Sequence, residues 1–310
     1  EWFSNHGVEL KIEDDGRMFP VSNSSQTIID CFSKATKDLG ISVLTGQSVQ
    51  SIFKKDNFWK IETQNENYIT EKLILATGSN PKMWETLQAF GHAIVSPVPS
   101  LFTFNIKDSR IKELPGVAAQ VTVKVKDSKL TSTGPLLITH WGMSGPAILK
   151  LSAWGARILH DKNYQFTIFV NWLNDIDTED AEKTLKNLKQ EHAKKAVSKK
   201  SPFDFPNRLW ESLVLASGIE ADTKWADLSK IQLQHLANQL TNGTFQVNGK
   251  STFKEEFVTA GGIDLKEINF KTMESKLHEN LYFAGEIINI DAITGGFNFQ
   301  NAWTSGFILA

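Results

Sequence analysis

Apolar residues recur at near-helical spacing through Ile28, Ile29, Phe32, Ala35 and Leu39. Ser22-Asn23-Ser24 stands ahead of them, where a side-chain oxygen accepts from the free N–H groups of a first helical turn. Gly40 follows, where a left-handed residue ends a helix. Ile41-Ser42-Val43-Leu44 predicts a short strand. Val49 to Phe53, Phe58 to Thr63 and Tyr68 to Thr70 predict a three-stranded meander, with turn residues at Asp56-Asn57 and Asn65-Glu66-Asn67. The apolar run from Lys72 to Gly78 predicts a strand covered on both faces and ending in a glycine turn.

The pattern then changes. Val121, Val123 and Val125 alternate with Thr122, Lys124 and Lys126, the period-two signature of a half-exposed strand. Leu101 to Ile106, Leu136 to Thr139 and Phe166 to Val170 predict further strands of an antiparallel sheet or barrel. A helix over Pro146 to Leu159 interrupts them, with Ser144 as its cap and a proline in the first turn, where no hydrogen bond is lost. From Asp177 to Leu240 the spacing is helical, broken at Pro202 and Pro206. Ser229 and Gln232 stand at capping-box spacing, and Gly243 marks a stop. Phe245 to Val247 and Thr252 to Val258 return to strand. Asn280 to Glu286 reads as a strand entering a glycine turn, and Gly295-Gly296 opens a helix over Phe299 to Leu309.

A chain of 310 residues suggests two or three domains. The formal net charge of -2 argues against a polyanion binder, so no nucleic-acid partner is expected. Lys183 to Lys200 is lysine-rich, but Glu182 and Glu191 interleave, which reads as a solvated helix face. Cys31 is the one cysteine, which excludes an internal disulfide and Cys-rich metal sites and fits a reducing, cytoplasmic setting. No metal site is expected. No apolar run reaches bilayer length, so no membrane association is expected. Both ends, at Glu1 and Ala310, read as cut.

Chemistry concentrates at glycine turns. Thr77-Gly78 and Gly285-Glu286 each end a strand, where ligands gather in open α/β sheets and where glycine permits close backbone approach. Plain strand-to-loop punctuation is the alternative. Gly295-Gly296 opens a helix, so its N–H groups can face a phosphate or the electron-rich edge of a reduced flavin. Asn298 and Gln300 add amide donors there, and Glu286 and Asp291 can accept from ribityl or ribose hydroxyls. An ordinary glycine-rich cap is the alternative. His140 is either a proton donor or a hydrogen-bonded turn histidine, and Arg17 either an anion-stabilising group or a surface hairpin arginine.

Gly16-Arg17-Met18-Phe19-Pro20, Ala76-Thr77-Gly78, Thr139 to Pro146, Val258 to Ile263, and the run from Lys271 through Ala284-Gly285-Glu286 to Gln300 carry a resemblance, in order along the whole chain. Together they resemble the HI0933-like, BaiN-like family of FAD-dependent NAD(P)/FAD oxidoreductases. The resemblance implies an α/β fold. A discontinuous two-dinucleotide-binding-type FAD domain would be interrupted by an antiparallel β-rich, barrel-like domain and a helical subdomain. The expected division is FAD domain over 1–97 and 258–310, β-rich domain over 98–175 with return strands over 244–257, and helical subdomain over 176–243. Implied cofactor contacts are Val49, Thr77, Gly78, Gly285, Glu286, Asp291, Gly295, Gly296, Phe297 and Asn298. Implied substrate-facing residues are Arg17 and His140. The expected activity is hydride transfer through FAD between NAD(P)H or a small donor and a small-molecule acceptor. The family's G-x-G-x-x-G turn is absent from the sequence. A strand, glycine turn and helix are therefore expected ahead of Glu1, and the alternative reading is a catalytically silent binding fragment.

Overall fold

The computed structural model describes residues 1–14, 16–251 and 258–310. They form two compact units: Glu1–Ile94 with Ile263–Ile288 and Gly295–Ala310, and Val95–Gly262 with Asn289–Thr294.

In the first unit the helix Ser25–Asp38 starts where Ser24 accepts from the Gln26 N–H, and it buries Cys31 and Ala35. Gly40 behind it has φ 68°, as its place past the helix end requires. Residues 41–44 are not the expected strand. Ile41, Val43 and Leu44 are exposed and form no ladder with any described strand. Branched side chains favour a pleated surface only where a neighbouring strand supplies one. The meander forms as expected, from Val49–Lys55, Phe58–Thr63 and Asn67–Thr70 paired antiparallel.

A four-stranded sheet runs Ile268–Asn269, Glu274–Ser275, Leu281–Phe283, Leu73–Leu75, and only its last pair is parallel. Leu73–Leu75 lies at its edge. Leu75 is buried but Ile74 is 52% exposed, so the expectation of two covered faces is corrected. An apolar run looks the same in sequence whether one face or both are covered. The helix Pro81–Ala89, passed over by spacing, follows directly. Asn80 accepts from the Met83 N–H, and Pro81 fills the first turn. Trp84 Nε1 donates to the Ile287 carbonyl at 3.0 Å, tying this helix to the segment after Leu281–Phe283. The helix Phe297–Leu309 buries only Ser305 and leaves Phe299, Trp303 and Phe307 exposed.

The second unit is built on seven strands in the order Gly243–Asn248, Gln165–Asn171, Ala118–Val125, Thr131–Ile138, Gly142–Ser144, Thr103–Asn105, Lys250–Ser251, all antiparallel. Buried and exposed residues alternate along Thr131–Ile138, matching the period-two pattern. The expected barrel does not close. Among the described residues its two end strands, joined through Gly249, are not paired with each other; the first is bonded to Gln165–Asn171 and the second to Thr103–Asn105. Of the strand expected over Thr252 to Val258, residues 252–257 lie outside the described residues, and Val258–Ile263 pairs with Ile94–Ser100.

The helix expected over Pro146 to Leu159 is two, Pro146–Trp154 and Ala156–Asp161, with Gly145 rather than Ser144 at the cap. They part at Gly155, where a Cβ would stand 2.6 Å from Leu130 Cδ1 and 3.0 Å from the Leu151 carbonyl. Thr178–Glu191 starts at the Asp177 cap, and Lys230–Thr241 carries the Ser229–Gln232 capping box. Leu185, Trp210 and Leu236 of the helical segment join Val121, Val123 and Phe245 of the sheet in one hydrophobic core. Each such side chain contributes about 1.5–3 kcal/mol when removed from water.

Candidate functional site

Parallel pairing decides where the first unit can hold a ligand. Phe283 lies opposite Leu75, and the Ala284 N–H donates to the Leu75 carbonyl at 3.0 Å. Both strands therefore run out at the same end of the sheet, which brings Thr77, Gly78, Gly285 and Glu286 together. Gly78 has φ 60° and Gly285 φ 72°. This left-handed backbone costs any other residue about 1–2 kcal/mol. A Cβ at Gly78 would meet nothing within 4 Å, and one at Gly285 only Ala302 Cβ at 3.9 Å. The glycines therefore serve the turn and leave open space beside the backbone.

Gly295 and Gly296 have φ 121° and 89°, and Gly296 caps the helix Phe297–Leu309 with no side-chain hydrogen bond. The positive end of the helix dipole lies there. Phe297 folds back until its ring stands 3.1 Å from where a Gly295 Cβ would be. The same helix is bonded to the first turn, since Ser305 Oγ accepts from the Gly285 N–H at 2.9 Å. So Gly295, Gly296, Phe297 and Asn298 belong to an element anchored at Gly285.

The other expected residues lie elsewhere. Val49 is exposed opposite Thr63 at the start of the meander. Arg17 sits on the hairpin of Leu10–Ile12 and Met18–Pro20, its guanidinium 5.3 Å above the Phe19 ring. His140 belongs to the second unit, exposed at the turn between Thr131–Ile138 and Gly142–Ser144. Thr139 Oγ1 accepts from the Trp141 and Gly142 N–H groups at 3.3 and 3.2 Å and shapes that turn. Trp141 beside it is 59% exposed, over a shallow hollow of about 550 Å³ that Pro115 and Leu137 also line. Asp291 is in the second unit too. Burial pushes its carboxyl above the ordinary carboxylate value, against the Ser100 hydrogen bond at 3.2 Å and the charge of Arg157.

A polar network in the first unit was not foreseen. His92, 2% exposed, bonds through Nδ1 to Glu267 Oε2 at 2.7 Å and through Nε2 to Ser275 Oγ at 3.1 Å. A neutral ring donating from Nδ1 to the carboxylate leaves Nε2 to accept the Ser275 hydroxyl proton. That hydroxyl oxygen in turn accepts from the Leu277 and His278 N–H groups, both at 3.0 Å, at the turn that leads to Leu281–Phe283. No spacing signal joins residues 92, 267 and 275. The nearest hint was Thr272-Met273-Glu274-Ser275 within the resemblance.

Burial holds the His92 ring below its ordinary pKa of 6.5, outweighing the Glu267 carboxylate, which raises it; His278 lowers it further. An unfolded chain takes up a proton at His92 as pH falls through 6.5, before the folded chain does. Stability is therefore expected to fall below that pH. His92→Gln is expected to cost about 1–3 kcal/mol at pH 7.5, by leaving buried partners unpaired, and to flatten the acid slope. Thermal melts from pH 7.5 to 5.5 check both; an equally steep slope in the variant would assign the titration to another group.

Among the described residues no three His, Cys, Asp or Glu side chains are grouped to hold a metal ion, and no helix is long and apolar enough to cross a membrane. Two left-handed glycine turns with open space at their missing Cβ positions do fit a flat ring and a polyol chain laid against backbone. No residue is assigned to a pyrophosphate, since G-x-G-x-x-G is not in the sequence. A model of the HI0933-like protein Rossmann domain matches residues 1–310. The chain belongs to the HI0933-like family. This Rossmann-type family is typically FAD-binding.

This HI0933-like chain is 27% identical to a ribosomal RNA dihydrouridine synthase of Haemophilus influenzae, across 99% of its own length and 77% of the relative's. It is 26% identical to the Escherichia coli protein of the same name, across 99% and 76%. It is also 21% identical to a 3-dehydro-bile acid delta(4,6)-reductase of Clostridium scindens, across 99% and 78%.

Proposed function

We propose that this protein is a flavin-dependent reductase that saturates a carbon–carbon double bond conjugated to a carbonyl, with a uracil ring of RNA as its acceptor. The observation that carries the flavin part is the pair of left-handed glycine turns, Gly78 and Gly285, at the common end of two parallel strands. The relatives' names support the acceptor. Making dihydrouridine and reducing a bile-acid 4,6-diene both add two hydrogens across such a bond, and the two RNA-acting relatives are the more similar. This reading departs from the expectation of no nucleic-acid partner, which rested on total charge and on reading Lys183 to Lys200 as a solvated helix face.

FAD, when bound, supplies a ring that accepts hydride from NAD(P)H and passes it on. Gly78 and Gly285 would hold that ring and its ribityl chain close to backbone, with Thr77 and Glu286 placed for the hydroxyls. The helix start at Gly295-Gly296 would stabilise negative charge at the ring's polar edge by its dipole, an electrostatic role that needs no movement. His140, which the resemblance implies as substrate-facing, would serve as a proton donor.

The test uses the FAD-loaded chain with NADPH under anaerobic conditions, and either a uridine-containing RNA hairpin or cyclohexenone. The expected result is RNA heavier by two hydrogens at one uridine. His140→Gln is expected to lower the rate about a hundredfold with flavin content unchanged. Reduction of the enone with no change in RNA would sink the RNA acceptor and keep the reductase.

A further inference from the structure

We propose that a lysine cluster in the second unit, Lys194, Lys195, Lys199, Lys200 and Lys224, is where the phosphodiester backbone of RNA docks. The inference rests on the RNA reading given above and names the surface that would serve it. In sequence these lysines merge with those of the preceding helix, and interleaved acids suggest a neutralised face. The fold separates the two groups. Within the helix Thr178–Glu191, Lys183 stands 3.1 Å from both Glu179 and Asp180, and Lys186 stands 3.4 Å from Glu182. Those lysines have their counter-charge on the same helix.

Beyond the helix end, the run from His192 to Lys200 holds four lysines and no acid. It is fastened to the segment around Lys224. Val197 N–H donates to the Thr223 carbonyl at 2.9 Å, Trp225 N–H to Lys195 at 3.0 Å and Ala226 N–H to Ala193 at 3.0 Å. Ala196 and Lys224 form the antiparallel bridge between the segments. Trp210 Nε1 adds a bond to the Val197 carbonyl at 2.7 Å, and Ser198 Oγ one to Ala221 at 2.6 Å. Val197 and Trp210 are fully buried, so the loop is pinned to the core while all five lysine side chains are exposed.

None of the five is in an ion pair among the described residues. Glu220 and Asp222 are exposed nearby in sequence and form none with them. A fixed backbone presenting unpaired ammonium groups is a surface for repeated phosphates. Each contact releases condensed counterions, so binding gains from every lysine and weakens steeply with salt. A total charge of -2 does not exclude such a surface, because it sums acids over the whole chain.

The test is binding of a fluorescein-labelled RNA hairpin by the full chain, read by anisotropy across a salt series, with no need of flavin or turnover. The five-fold Lys→Gln variant is expected to bind about fiftyfold more weakly at low salt. Its plot of log affinity against log salt is expected to be shallower by about 3. Lys183→Gln with Lys186→Gln is expected to stay within about threefold of the parent. All substituted side chains are exposed, and a thermal melt confirms folding in each variant.

Unchanged affinity and slope in the five-fold variant would overturn the proposal, as would a parent chain that does not bind RNA. Equal competition by anionic phospholipid vesicles would overturn it in favour of a membrane surface. If the lysines control RNA binding but no uridine is reduced, the docking surface stands and the reductase reading fails.

Discussion

Valine at Gly78 or at Gly285 is expected to lower FAD affinity about a thousandfold while leaving the chain folded. Both glycines are in the left-handed region, at φ 60° and 72°. Valine there is strained by about 1–2 kcal/mol, a modest part of the stability of a domain. Neither Cβ meets protein closely: none of its atoms is within 4 Å at Gly78, and the nearest at Gly285 is 3.9 Å away. The added side chain occupies the space in which the flavin would lie against the backbone. Excluding a ring from such contact costs about 4 kcal/mol, which is the thousandfold. Gly46 is the control, with φ 71° and likewise nothing within 4 Å. Gly46→Val carries the same strain away from the paired strands. Titration with FAD, followed by quenching of flavin fluorescence, reads the difference. Equal affinity in all three variants would remove these turns from the cofactor site.

Gly142→Ala is expected to destabilise the second unit by about 3–5 kcal/mol, through overpacking and backbone strain together. Gly142 has φ 150° and lies opposite Asn105 in the sheet. An added Cβ would stand 2.2 Å from the Phe104 carbonyl oxygen and 2.5 Å from the Ile106 nitrogen, both backbone atoms. Backbone inside a sheet cannot turn aside as a flexible side chain does, so the ladder must part. The Ile106 N–H bond to the Trp141 carbonyl, 2.9 Å long, lies beside the clash and is expected to go with it. Loss of the turn that carries His140 and Trp141 follows. Gly116→Ala is the comparison: φ 86° strains it, but nothing lies within 4 Å. Calorimetry should rank Gly142→Ala well below Gly116→Ala. If the two melt together, the close approach is not what keeps Gly142.

Local chemistry was legible in the sequence. Ser24, Asp177 and the Ser229–Gln232 pair cap the helices they precede, because a cap needs only a side chain within three residues of an N–H. The meander and the alternation along Val121, Val123 and Val125 were legible for the same reason. The glycine turns at Thr77-Gly78, Gly285-Glu286 and Gly295-Gly296 could also be picked out, because glycine takes up left-handed backbone without strain; that they hold a cofactor is the proposal. Long-range pairing was not legible. Ile41 to Leu44 has the composition of a strand and forms no ladder among the described residues. Ile94–Ser100 carries two prolines and still pairs with Val258–Ile263.

By itself, then, the sequence determined where the helices after Ser24, Asp177 and Ser229 start and which glycines end strands, but not the helix Pro81–Ala89 or the break at Gly155. Those properties depend on neighbours a few residues apart. Only the tertiary structure decided that Gly78 and Gly285 share one end of a sheet, since that follows from parallel pairing of segments about two hundred residues apart. It also decided that His92 meets Glu267 and Ser275, and that Lys183 has a counter-charge while, among the described residues, Lys194 has no ion pair. A contact between distant residues is selected by the packing of everything between them. No short window of sequence carries that information.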